Sequence, residues 1–352
     1  MTPPRAPIFV TVRARTDLGR TRDHNEDAFL VADLTARTTN LTDGGPHRVG
    51  EHGTVFLVAD GMGGAAAGEL ASSMAAERIF RNLVQQAGNH PADNAEEFAQ
   101  QLKAAVEEAN EHIHAYSKEH PDVRGMGTTA TVAGVLGATL YLAQVGDSRG
   151  YLVRDGVATQ ITKDQSLMQR LVDAGELTEE EAEQSERRNI ILQALGPDAK
   201  IRVDLTWQEL RRGDTLVICS DGLSGQVKRE EIASLIETQP DLDRLCDELI
   251  ARANERGGPD NITVVLARFE GDGLQVSTPS GEVGYHSLSK DDSEDEIPVR
   301  PAPAPPPPPP PAPVEMAPPP APPARSGSPA VIAALTGGIL VILVILYFLL
   351  RH

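Results

Sequence analysis

Acidic residues flank several apolar runs in this chain, and this pattern constrains the fold more than any other feature. The three clearest cases are Val55–Ala59 before Asp60, Leu216–Cys219 shortly before Asp221, and Asp260 before Ile262–Leu266. Apolar runs of this length, bounded by turn residues, are typical of buried strands. We therefore expect β-sheets whose strand ends bring these carboxylates to one rim.

A rim of carboxylates suits hard divalent cations. Mg²⁺ and Mn²⁺ prefer carboxylate, carbonyl and water oxygens as ligands. Two such ions about 3.5–4 Å apart hold a water for in-line attack on phosphorus. The arrangement therefore predicts a metal-dependent phosphatase.

The remaining hydrophobic pattern predicts further strands and several helices. Helices are predicted at residues 66–86, 95–117, 230–237 and 242–255, with short helices between residues 165 and 195. Strands are predicted at residues 8–12, 28–32, 53–59, 128–136, 139–145, 150–154, 201–209, 215–219 and 262–269. Because strands and helices do not alternate regularly, the predicted class is α+β, with sheets packed together and helices outside.

The charge balance argues against a nucleic acid partner. The 352 residues include 51 acidic and 32 basic side chains, which gives a formal net charge of −19. Such a chain repels nucleic acid phosphates, and no basic stripe offsets the repulsion. The two cysteines, Cys219 and Cys246, are predicted to be reduced core thiols. Cys246 and Arg252 have the spacing of thiol phosphatases, but no glycine lies between them to form a phosphate cradle.

The composition changes after residue 270. Residues 271–329 are predicted to be a disordered linker, acidic at 291–296 and then stiffened by 16 prolines between Pro298 and Pro323. Ala330–Leu350 is 21 residues without a charge, the length of a transmembrane helix. No signal peptide is recognised at the N-terminus. We therefore expect a single-pass cell-membrane protein whose folded domain is cytoplasmic.

Six motifs are spread along the chain: Arg22–Asp27, Asp60–Gly64, Gly125–Thr129, Gly146–Arg149, Ser220–Leu223 and Gly258–Asn261. They occur in the order seen in the PPM family, the metal-dependent Ser/Thr protein phosphatases that are also called type 2C. The chain resembles the bacterial members that oppose eukaryotic-like Ser/Thr kinases. The resemblance covers about Val10 to Phe269, and it implies an α-β-β-α sandwich at residues 8–270. It also implies phosphorylated proteins as partners, including such kinases and their substrates.

The resemblance implies a set of metal ligands. Asp60 would bridge two Mn²⁺ or Mg²⁺ ions, and the Gly61 carbonyl would serve the first ion. Asp221 and Asp260 would complete the shell of the second. Asp147 would contribute to a third, weaker metal site.

Further roles follow from the same resemblance. Arg22 would clamp the substrate phosphate, because its planar guanidinium suits bidentate contact with phosphate oxygens. Glu26 and Asp27 would contact metal-bound waters. The chain departs from the animal enzymes at Met62, where they carry a histidine assigned as general acid. Leaving-group protonation would then come from metal-bound water, with His24 as the alternative.

Two other functions compete with a phosphatase that acts on phosphoserine and phosphothreonine. One is a pseudophosphatase that binds phosphoproteins without turnover, against which the complete set of acidic residues and Arg22 argues. The other is a phosphatase that acts on a phosphorylated anti-sigma-factor antagonist. Relatives of that second kind often carry sensor domains, and we recognise none in this sequence.

Overall fold

The protein is described by a computed structural model over residues 6–277, apart from residues 40, 90, 93 and 186, and over residues 282–288. The strands are β1 (Phe9–Asp17), β2 (Asp27–Asp33), β3 (Thr38–Thr39), β4 (His47–Arg48), β5 (Thr54–Met62), β6 (Gly127–Thr128), β7 (Ala130–Leu136), β8 (Thr139–Val145), β9 (Arg149–Arg154), β10 (Val157–Gln160), β11 (Asp204–Glu209), β12 (Thr215–Cys219) and β13 (Ile262–Glu270). The helices are α1 (Ala65–Asn89), α2 (Ala95–Glu119), α3 (Leu167–Asp173), α4 (Glu179–Glu183), α5 (Asp221–Ser224), α6 (Arg229–Thr238) and α7 (Leu242–Glu255).

The strands form two antiparallel sheets. One sheet has the order β10-β9-β12-β13-β1-β4. The other has the order β11-β8-β7-β5-β2-β3, with β6 paired to the end of β5. Long consecutive pairings, such as β1 along the whole of β13, fix the register of each sheet.

The sheets pack face to face, and helices cover their outer faces. Strand β5 explains the layering, because side chains alternate between the two faces of a strand. Leu57 contacts the layer formed by α1 and α2, whereas Phe56 points into the core between the sheets. There Phe56 meets Phe269 edge to face, with ring centroids 6.3 Å apart. Helices α6 and α7 cover the outer face of the other sheet, and Leu249 of α7 is buried in the core between them. The predicted α+β sandwich of two sheets between helices is therefore confirmed.

Some predicted elements differ in detail. The single strand predicted at residues 128–136 is interrupted at Thr129. The Thr129 N–H donates to the Asp60 carbonyl at 2.8 Å, but the Asp60 N–H donates to the Thr129 side-chain hydroxyl at 2.9 Å. The strand predicted from residue 201 begins at Asp204. Short strands β3, β4 and β10 lie at or near sheet edges, and the sequence pattern missed them.

The segment after β13 packs against the domain. The sequence predicts a linker from residue 271, yet Leu274 is only 3% exposed within the core between the sheets. Residues 282–288 run along the edge strand β11, where the Trp207 N–H donates to His286 (3.0 Å) and the Leu288 N–H donates to Leu205 (2.9 Å). We call residues 271–277 and 282–288 the strap. The folded part therefore extends beyond the predicted boundary at residue 270.

The remaining predicted linker and the predicted transmembrane helix at residues 330–350 lie outside the described residues. Within the described part of the chain, no helix is both long and apolar enough to cross a membrane.

Candidate active site

Asp60 and Asp27 face each other across two neighbouring strands. They are directly opposite in the antiparallel pairing of β2 with β5, so their side chains project from the same face of the sheet. The Asp60 carbonyl is held by the Thr128 hydroxyl at 2.9 Å and the Thr129 N–H at 2.8 Å. The Asp60 backbone N–H in turn donates to the Thr129 hydroxyl at 2.9 Å. These bonds fix the backbone from which the Asp60 carboxylate projects.

Gly61 lies where no side chain fits. A Cβ at this position would stand 2.3 Å from the Gly68 carbonyl oxygen and 2.5 Å from that of Glu26. The Gly61 N–H donates to the same Glu26 carbonyl at 3.1 Å. The start of α1 and the end of the loop before β2 therefore close around the Gly61 peptide, whose carbonyl is the predicted metal ligand.

Asp221 and Asp260 lie at the ends of paired strands in the other sheet. Asp221 begins the one-turn helix α5 just after β12, and Asp260 comes just before β13. A Cβ on Gly222 would be 2.0 Å from the Asn261 carbonyl oxygen, so the two strand ends approach as closely as backbone allows. Both sheets thus contribute acids to one rim.

Asp147 lies in the loop between β8 and β9 and is 5% exposed. The preceding Gly146 exchanges two hydrogen bonds with Gln165: its N–H donates to the Gln165 side-chain oxygen (2.9 Å), and its carbonyl accepts the Gln165 N–H (3.0 Å). Nearby, Arg149 donates twice to the buried Asp164 carboxylate, at 2.8 and 3.0 Å. The base of the segment that carries α3 and α4 is therefore tied to the Asp147 loop.

The carboxylates perturb one another. Burial, followed by repulsion from Asp27 and Asp221, holds the pKa of Asp60 well above its usual range. Burial and then Asp221 raise the pKa of Asp147 in the same way. Burial and then Asp260 raise the pKa of Asp221 to about 6, while a hydrogen bond with Asp60 opposes the shift. Burial raises the pKa of Asp27 to about 7 against hydroxyl bonds that lower it. The five acids therefore act on each other as close neighbours.

Arg22 lies at this rim, in the loop between β1 and β2. Its Nη2 donates to an Asp260 carboxylate oxygen at 2.7 Å, and its side chain is 48% exposed. Glu26 stands in the same loop, where burial raises its pKa and the Arg22 charge opposes that shift. Arg22 thus reaches the acids with one nitrogen, and its guanidinium is open to solvent beside them. Met62 is also exposed here, at 36%.

The donor set fits divalent cations. One oxygen each of Asp27, Asp147 and Asp221 is buried without a hydrogen-bond partner. Buried carboxylate oxygens are normally satisfied, so these three are candidates for a bound cation. Within the described residues, no group of three or more His, Cys, Asp or Glu side chains is arranged so that it could hold a metal ion. The fit rests on the unpaired oxygens and on the repulsion that cations would neutralise.

Two residues with a structural part in this site have no role assigned by the sequence reasoning. Ser220 donates from its hydroxyl to Asp27 at 2.8 Å. Asn261 uses its side-chain amide to hold the backbone of Leu18, His24 and Glu26. Both residues belong to the six sequence motifs, which was the only sign of their importance in the sequence, but their hydrogen-bond partners lie far away in the chain.

The comparison with known families decides the classification. The family model for protein phosphatase 2C matches residues 37–267, which is 231 of the 352 residues. The chain belongs to the protein phosphatase 2C family. The family match begins after the loop that carries Arg22.

Two bacterial phosphatases are among the named relatives of this chain. It is 38% identical to the serine/threonine phosphatase stp of Listeria monocytogenes serotype 4b over 252 residues, which covers 72% of this chain and 93% of that protein. It is also 38% identical to the serine/threonine protein phosphatase PstP of Mycobacterium tuberculosis over 263 residues, 75% of this chain and 46% of that protein.

Solved structures share the 2C phosphatase fold. The M. tuberculosis PstP/Ppp structure superposes with a TM-score of 0.62 at 38% identity, over 74% of this chain and 99% of that one. The catalytic domain of PstP in complex with two manganese ions gives 0.60 at 37% identity, over 75% and 99%. The S. agalactiae serine/threonine phosphatase gives 0.65 at 32% identity, over 74% and 99%.

Proposed function

We propose that this protein hydrolyses phosphoserine and phosphothreonine in other proteins with the help of two Mn²⁺ or Mg²⁺ ions. The observation that carries the proposal is the set of unpaired, buried carboxylate oxygens gathered around Asp60 from both sheets, with an exposed arginine beside them. The relatives support it, since they are named serine/threonine phosphatases and one was solved with two manganese ions.

The acids divide into roles by position. Asp60 would bridge the two ions, with the Gly61 carbonyl on one ion and Asp221 and Asp260 on the other. Asp147 would serve a third ion. When bound, the metal pair supplies an activated water as nucleophile and offsets charge on the phosphoryl group. Carboxylates held in fixed positions keep that geometry without reorganisation during the reaction.

Arg22 would bind the substrate phosphate. Its bond to Asp260 holds the guanidinium at the rim, and its side chain is 48% exposed to solvent. A planar guanidinium donates two parallel bonds to a phosphate and offsets charge on its equatorial oxygens. Glu26 and Asp27 would orient waters in the site, which leaves protein side chains with no covalent part in the hydrolysis.

Phosphate release from a phosphothreonine peptide tests the proposal. The full chain, purified in detergent, is assayed with MnCl₂ and again with EDTA, beside Asp221→Asn. We expect release that needs the metal and that falls by at least about 100-fold in the variant, as is typical when a group that stabilises a transition state is removed. Binding of the peptide without release under Mn²⁺ and Mg²⁺ would favour the binding-only alternative.

We also propose that the protein acts at the cell membrane, on kinases and kinase substrates. The uncharged run at residues 330–350 would insert as a single transmembrane helix, and the proline-rich segment before it would be a spacer of at most about 80 Å. Tethering would raise the local concentration of the phosphatase near membrane-bound kinases. Protease treatment tests the orientation: the catalytic domain should resist digestion in intact cells and be cut after permeabilisation. Digestion in intact cells would refute a cytoplasmic domain.

A further inference from the structure

Ser220 occupies a buried junction between the two sheets. It follows β12 and precedes Asp221, and it is 0% exposed. Its hydroxyl oxygen lies 2.8 Å from Asp27 Oδ2, and it accepts the Thr263 N–H at 3.0 Å. The Ser220 N–H returns a bond to the Thr263 carbonyl at 3.1 Å. One side chain thus connects the end of β12 to the start of β2 in the other sheet.

The hydrogen-bond pattern fixes the direction of the Ser220 hydroxyl proton. The Thr263 N–H takes one lone pair of the oxygen, so the single hydroxyl proton must point to another acceptor. The Asp27 carboxylate at 2.8 Å is nearer than the Asn261 carbonyl at 3.4 Å. A bond to a carboxylate is also stronger than a bond to a neutral carbonyl. Ser220 therefore donates to Asp27.

This bond leaves one oxygen of the Asp27 carboxylate without a partner at the rim. Its Oδ2 is taken by Ser220, while its Oδ1 is buried and has no partner. The Asp27 side chain projects on the same face as Asp60. Without Ser220, the Asp27 carboxylate would keep the Thr263 hydroxyl as a partner but would lose its link to the strand end that carries Asp221.

We propose that Ser220 is a positioning residue for the metal site: it fixes the Asp27 carboxylate relative to Asp60 and Asp221, and the affinity for the metal pair depends on it. The inference rests on the proposed function, because it needs the two ions to bind at this rim. Groups that orient metal ligands from behind change metal affinity by about 10–100-fold when they are removed.

Isothermal titration of metal-stripped full chain with MnCl₂ tests the proposal. Ser220→Ala should weaken Mn²⁺ binding by about 10–100-fold. The matched control is Ser117→Ala, which removes another buried hydroxyl, one that donates to the His114 carbonyl at 3.0 Å within α2. Its Mn²⁺ affinity should equal that of the unmodified chain. Melting curves in EDTA show whether each variant is folded.

A double-mutant cycle keeps the test decisive if Ser220→Ala also alters the fold. In an Asp27→Ala background, Ser220→Ala should change the Mn²⁺ affinity by less than about threefold, because coupled residues are not additive. Equal weakening by Ser220→Ala in both backgrounds would overturn the inference.

The outcomes separate this inference from the proposed function. An unmodified chain that binds no Mn²⁺ would overturn the proposed function and the inference together. If the unmodified chain binds Mn²⁺ and Ser220→Ala binds it with an affinity within twofold of that value, the inference alone would be overturned.

Discussion

Asn261 should control both the stability of the domain and its affinity for phosphate. The residue is 4% exposed, and its side chain makes three hydrogen bonds to the backbone of the loop between β1 and β2. Its Nδ2 donates to the Leu18 and His24 carbonyls at 3.0 and 2.9 Å, and its Oδ1 accepts the Glu26 N–H at 2.8 Å. That loop carries Arg22.

The size of the effect follows from those bonds. Each contributes about 0.5–1.5 kcal/mol net, so Asn261→Ala should lower the free energy of unfolding by about 2–4 kcal/mol. Loss of the loop geometry should also weaken competitive inhibition by inorganic phosphate about 10-fold, which is about 1.4 kcal/mol. Urea unfolding measures the first effect, and the inhibition constant of phosphate measures the second.

Asn110→Ala is the matched control for this prediction. Asn110 is a buried asparagine that also bonds backbone, with the Asp198 carbonyl at 3.1 Å and the Gly196 N–H at 2.8 Å, but it lies on α2. It should lower stability comparably and leave phosphate inhibition unchanged. The proposed link between Asn261 and Arg22 is refuted if Asn261→Ala lowers the free energy of unfolding by less than about 0.5 kcal/mol. It is also refuted if the variant has the same inhibition constant for phosphate as the unmodified chain.

Three further predictions concern the substrate clamp, the acids and the strap. Arg22→Ala should reduce kcat/KM for a phosphothreonine peptide by about 10–100-fold, since a charge-assisted bond is worth about 1.5–3 kcal/mol; Arg22→Lys should recover only part, and equal rates for all three would contradict the role. Burial raises the pKa of Asp27 to about 7, so between about pH 4 and 7 the folded state holds a proton that the unfolded state releases. The free energy of unfolding in EDTA should therefore fall as the pH rises from about 4 to 7. Asp27→Asn should flatten that fall in urea unfolding series, and parallel profiles for the two proteins would refute it. Truncation after Glu270 should lower Tm relative to truncation after Lys290, because it removes the buried Leu274, whose burial is worth about 1.5–3 kcal/mol; equal Tm values would show that the strap contributes nothing.

Much of the fold is predictable because its strands are buried on both faces. The run at residues 55–59 is apolar throughout, since one face contacts the helices and the other faces the second sheet. The short strands near the edges have no such run, so β3, β4 and β10 give no signal. The strap was missed for a related reason: its composition resembles a linker, and its order comes from a few contacts with β11 and the core.

The site divides in the same way. Motifs beside strand ends, together with the family resemblance that they carry, predict the acids and Arg22 as site residues, because residue type and order are visible in the sequence. The parts played by Ser220 and Asn261 depend on partners 193 to 243 residues away in the chain. No local sequence pattern predicts hydrogen bonds between residues so far apart. The partners of Ser220 and Asn261 can therefore be read only from the packed sheets.

Paramagnetic resonance of the Mn²⁺-loaded full chain most directly tests the proposal that Asp60 joins two metal ions at one rim. Two ions about 3.5–4 Å apart should give the spectrum of a coupled Mn²⁺ pair. Asp60→Asn should convert it to the signal of isolated Mn²⁺ and abolish phosphate release. A fully active unmodified chain that shows only isolated Mn²⁺ would contradict the account.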